Sequence, residues 1–152
     1  MTAVDEILEF WFGPEPERAQ ALRGTAWFKP DPAFDAEVRR RFGELQERAA
    51  AGALDHWRDE PRACLALMLA LDQVPRNIFR ADARAFAADA KALELARHAV
   101  AQGFDLELPA AARMFLYLPF QHSEELADQR RSVELSEAMA DDPESGDNLA
   151  YA

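Results

Sequence analysis

Apolar residues recur every three or four positions along most of this chain, and alternating β-branched runs do not occur. That period belongs to α-helices with one buried face, not to strands. Ile7, Leu8 and Trp11 predict a helix over 2–12, capped by Thr2 and ended by Gly13-Pro14. Phe34, Val38, Phe42 and Leu45 mark a second over 32–51, with Asp31 as N-cap, Pro32 in the first turn and Gly52 as its stop. A third starts at Pro61, after Asp59 or Glu60, and is expected to end near Val74, because Pro75 disfavours helical geometry in the residue before it. Leu93, Ala96 and Val100 give a helix over 90–102, with Asp89 as cap and Gly103 closing it. Pro109 opens another over 110–118, and Leu126, Val133 and Met139 lie on a last one over 122–140. Ser123 is its expected N-cap. Trp27 and Phe28 are placed to anchor on the core the connection that follows Pro14 and Pro16. The tail "DDPESGDNLAYA" reads as a linker entering one more short helical turn. The prediction is a single all-α domain over 1–152, about six helices in antiparallel pairs. No repeat of about 34 residues is visible.

Two of these helices break the amphipathic rule. "CLALMLA" and "AAARMFLYL" are apolar on all sides, so both belong at the centre of the fold. Each ends against a proline and then turns polar, as "DQVPRN" and "PFQHSE". Two central helices with polar ends suggest one polar region where the ends approach. Its candidates are Asp72, Gln73, Arg76, Asn77, Arg80, Gln121, His122, Glu124 and Gln129.

Charge narrows the partners. The net charge of -11 repels phosphate backbones, and Arg39, Arg40 and Arg41, the one basic triple, fan around a helix instead of forming a patch. Nucleic acid is therefore not an expected partner. The lone Cys64 rules out a disulfide or a multi-cysteine metal site within one chain and sits in an apolar run, as a core residue does. Acidic residues at the N-terminus do not fit a signal peptide, and no apolar run approaches the ~20 residues of a membrane span. A cytoplasmic location is expected.

Three kinds of chemistry suit the polar region. Arg76 and Arg80, with Gln73, Asn77 and Gln129, offer donors to a small anionic ligand or an acidic peptide end. Alternatively His122 serves as general acid or base, oriented by Asp72 or Glu124, with Arg76 stabilising negative charge. The third reading is structural: the same groups form a hydrogen-bond network pinning helix ends, and function lies elsewhere, on Trp27, Phe28 or Trp57. His56 and His98 lack comparable company. His122 with Glu125 is a lone pair at helical spacing, so no metal site is assigned. No nucleophile elbow and no phosphate-cradling glycine loop is present, and nothing in the sequence specifies a cofactor.

"ILEFWFG", "AWFKPDPAFDAEVRRRF", "LALMLALDQVPRNIFRADARAFAADAKALELARHAVAQGFD" and "MFLYLPFQHSEELADQRRSVEL" resemble, in that order, the bacterial domain-of-unknown-function family 924. The resemblance covers nearly the whole chain and implies a helical, tetratricopeptide-like superhelix. It supplies no reaction. Its hallmark stretches fall on Leu71-Asp72-Gln73, Pro75-Arg76-Asn77, Arg80, Pro119, His122-Ser123-Glu124 and Gln129. The resemblance also implies a further C-terminal segment, rich in Phe, Arg, Pro, His and Asn, beyond Ala152.

Overall fold

The computed structural model describes residues 1–14 and 27–141. The expected connection after Pro14 and the expected turn in the tail lie mostly outside them. Among the described residues there are six helices and no strand. They are α1 (Ala3–Phe12), α2 (Pro32–Ala50), a composite α3, α4 (Asp89–Ala101), α5 (Ala110–His122) and α6 (Leu126–Ala140). α3 runs as Pro61–Met68, passes through a π-helical turn at Leu69–Gln73 and finishes as Val74–Ile78. Short 3-10 turns at Asp55–Asp59, Ala83–Phe86 and Phe104–Glu107 fill the connections.

The helix starts follow their local chemistry. Thr2 and Asp5 form a reciprocal capping box, each side chain accepting the other's backbone N–H. The Thr2 hydroxyl and then Arg62 of α3 hold the Asp5 carboxyl down to about 2. Asp31 accepts from the N–H groups of Ala33 and Phe34 and so starts α2. Gly103, at φ 74°, makes the left-handed turn after α4 that a side chain would oppose.

α3 is the central element. From Cys64 to Pro75 every residue is buried, and α1, α2, α4 and α5 all pack around this run. Each large apolar side chain taken out of water here contributes about 1.5–3 kcal/mol. Phe115 of α5 joins the N-terminal part to this core: its ring lies 5.9 Å from Trp11, 5.5 Å from Phe12 and 5.0 Å from Trp27, all edge-to-face. The Trp27 indole N–H donates to the Trp11 carbonyl at 2.9 Å. Trp27 is thus buried in the core and Trp57 packs against it, so neither offers the exposed aromatic surface considered from the sequence.

Four helix ends differ from their sequence-based positions. α3 does not stop at Val74. In the π turn the Val74 N–H reaches back five residues to the Leu69 carbonyl. Pro75 then falls in the first turn of the following α segment, where a missing N–H leaves nothing unpaired. Side chains take up carbonyls near the break: Arg76 Nη1 donates to Asp72 O, and Asn77 Nδ2 donates to Gln73 O, both at 2.9 Å. α5 likewise carries Pro119 within it and continues to His122. α6 begins at Leu126, not at 122, with Glu125 in the cap position. Ser123 still accepts from the Glu125 N–H, inside the turn. Asp89 is the first residue of α4, not its cap, because its carboxylate is held by Arg76.

Candidate functional site

The π turn of α3 and the last turn of α5 meet. His122 Nδ1 lies 3.0 Å from Asp72 Oδ1. Asp72 is 1% exposed, at the one place where α3 changes helical pitch, and the His122 side chain is 25% exposed. The other Asp72 oxygen accepts from Gln73 Nε2 at 2.8 Å. Arg76 Nη1 donates to Asp72 Oδ1 at 3.1 Å. An ionised carboxylate only accepts, so Nδ1 of His122 carries the proton, and Nε2 holds the lone pair of the neutral ring. Among the described residues Nε2 has no hydrogen-bond partner.

The arginines expected to receive an anion are engaged. Arg76 forks onto Asp89 at 2.9 and 3.0 Å, while its guanidinium sits 5.3 Å from the Phe86 ring. Arg80 forks onto Asp35 of α2 at 2.8 and 3.0 Å and also reaches Asn77 Oδ1. Gln129 Nε2 donates to the carbonyls of Gln121 and Ser123, so it fastens the α5–α6 turn. Glu124 is exposed on that turn and makes no hydrogen bond to His122. Of the two carboxylates considered as partners for His122, the fold brings Asp72 to it and not Glu124. Among the described residues no group of three or more His, Cys, Asp or Glu side chains is placed to hold a metal.

His122 stands between two spaces. On one side is a cavity of about 110 Å³ bounded by Asp72, Asp89, Leu93, Pro119 and Ser123. On the other is a groove of about 350 Å³ between α5 and α6, with Phe28 contributing to its wall. A buried carboxylate behind a half-exposed imidazole that faces open space is an arrangement able to pass protons.

Sequence reasoning missed several partners. Asp128 of α6 is buried and accepts from the Ser123 hydroxyl at 2.7 Å and from Arg97 of α4 at 2.8 Å. These two donors, the hydroxyl first, hold its carboxyl below the usual aspartate value. Asp105 accepts from the Tyr117 hydroxyl at 2.6 Å, and burial followed by that bond pushes the phenol up. Asp35 and Asp105 each follow a phenylalanine and Asp128 an alanine, but no local pattern names the distant partners that pair with Asp35 and Asp128 or the Tyr117 hydroxyl that meets Asp105.

The family model for "Bacterial protein of unknown function (DUF924)" matches residues 7–152. The chain belongs to this family. It is also similar to the protein of unknown function ATU0120 from Agrobacterium tumefaciens, with 36% identity and a TM-score of 0.80. That match covers 90% of this chain and 73% of the other. No curated protein matches. Within the family, then, the chemistry of this member has to be argued from its own side chains. No helix among the described residues is long and apolar enough to cross a membrane.

Proposed function

We propose that the protein is an enzyme in which His122 transfers protons as general acid and base, with Asp72 as the residue that orients it. The observation that carries this reading is the 3.0 Å bond from His122 Nδ1 to a carboxylate that is itself 1% exposed. Such a carboxylate fixes the ring and its tautomer, and stabilises the imidazolium formed when Nε2 takes a proton. π turns recur at functional positions because they re-aim side chains, and this one carries Asp72. A small-anion receptor built on Arg76 and Arg80 is not adopted, since both guanidinium forks already hold carboxylates. In this reading α5 and α6, joined by a three-residue turn, form one pair of a tetratricopeptide-like superhelix. The partner is a small molecule, not a nucleic acid or a membrane, and the location is cytoplasmic.

Carbethoxylation of the histidines, followed by mass spectrometry, tests the reading without a known substrate. His122 should react faster than His98, whose Nε2 is engaged with the Arg58 carbonyl at 2.9 Å. Asp72→Asn should slow the reaction at His122 severalfold while leaving His56 unchanged. If His122 reacts no faster than His98, or is indifferent to Asp72→Asn in a folded variant, the reading fails. Any turnover later found should fall by about 10²–10⁴-fold in His122→Gln.

A further inference from the structure

We infer that the groove between α5 and α6 is the substrate site of the Asp72–His122 pair, and that it takes an uncharged molecule with an apolar body. This rests on the proposed role of His122 and adds the class of substrate. The groove, about 350 Å³, is within the range of small-molecule sites. Phe28, Met114, Leu118 and Met139 supply its apolar lining. Phe28 is 47% exposed and stacks on buried Phe115 with an interplanar angle of 14°. Its ring is therefore held in place while one face stays open to a ligand. Thioethers at Met114 and Met139 adapt to irregular apolar shapes. The polar lining is neutral: Gln121, and the hydroxyls of Ser132 and Ser136, one turn apart on α6.

The charge pattern decides the ligand class. Charged residues make up 30% of the chain, yet among the described residues that line this groove there is no Asp, Glu, Lys or Arg. A charged ligand seated there would shed its hydration with no fixed countercharge to replace it. An uncharged ligand would place its apolar part on the Phe and Met side and its hydrogen-bonding group toward Gln121, the serines and His122. A larger groove, of about 600 Å³, lies between α1 and the starts of α3 and α5. It is lined by Glu9, Glu60, Arg62 and Glu107 as well as by apolar residues, and the catalytic pair does not reach it.

Fluorescence titration with N-phenyl-1-naphthylamine, an uncharged apolar probe, tests the inference on the intact chain. Saturable binding is expected. Ser136→Asp, which plants a carboxylate at a half-buried position, should weaken it about tenfold or more. Leu108→Asp, in the other groove, should leave it unchanged. 8-Anilinonaphthalene-1-sulfonate, with similar rings and a negative charge, should bind much more weakly. Saturating uncharged probe should also slow carbethoxylation of His122. The inference is overturned by no binding, by equal binding of the sulfonate, or by loss in Leu108→Asp with retention in Ser136→Asp. Binding that fails to shield His122 overturns it too. The role of His122 itself stands or falls separately, on its carbethoxylation rate without probe.

Discussion

Asp72 sits between the Arg76 guanidinium and the His122 imidazole in a fold that leaves it almost no water. Arg76 shares the cost of its burial, and His122 gains its orientation from it. Asp72→Ala therefore breaks the packing of charge as well as the site. Arg76 keeps Asp89 but loses its bond to the Asp72 side chain, and Gln73 Nε2 loses its acceptor. A destabilisation of about 2–4 kcal/mol is expected in urea unfolding. Asp72→Asn, which keeps an acceptor oxygen, should cost less. A near-neutral Asp72→Ala would mean that the network does not carry stability. Cys64 is the opposite kind of residue. Burial pushes its thiol up to about 12, so at neutral pH there is almost no thiolate to react. Its modification by an aromatic disulfide reagent should wait for unfolding, with the same urea midpoint as helix loss. Rapid reaction of the native protein would contradict that burial.

At the scale of elements, the apolar period located four of the six helices, and Pro61 and Pro109 before fully apolar runs located α3 and α5, because each must bury apolar surface against its neighbours. The ends were legible where a cap acts through its own next few residues, as at Thr2 and Asp31. They were not legible at Pro75 and Pro119. There the decision rests with distant packing and with side chains such as Asn77 that satisfy freed carbonyls. The polar ends of α3 and α5 could be named from the sequence, since dense polar residues after an apolar helix need partners. Which partners they find depends on the folded chain: Arg80 meets Asp35, 45 residues away. Asp128 shows what such a contact does to an element. Through Ser123 and Arg97 it ties the α5–α6 turn to α4. Its folded carboxyl lies below the unfolded value, so its stabilisation is complete above the ordinary aspartate range and is lost as pH falls through the folded value. Urea stability should thus drop on acidification from about pH 5 to pH 2, and drop less steeply in Asp128→Asn. Parallel slopes for the two proteins would count against the tie.

For the molecule as a whole, the question is whether α1 folds with the rest. The join is made by aromatic rings, two of which, Trp27 and Phe28, precede α2. Phe115 on α5 touches Trp11, Phe12, Trp27 and Phe28, so residues about a hundred positions apart share one cluster. The Arg62–Asp5 ion pair between α3 and α1 adds little, because both side chains are substantially exposed. If the rings are the coupling, near-ultraviolet dichroism, which reports the tryptophans, and far-ultraviolet dichroism, which reports the helices, should follow one transition in the native sequence. Phe115→Ala should lower stability by about 3–5 kcal/mol. It should also separate the two signals, the aromatic one being lost first as α1 detaches while α3 to α6 persist. Phe115→Leu keeps most of the volume and should lower the midpoint while the two curves still coincide. Coincident curves in Phe115→Ala would instead mean that α1 is held by its own Ile7, Leu8 and Trp11 seated on α3 and its neighbours. The aromatic cluster would then supply burial without setting cooperativity.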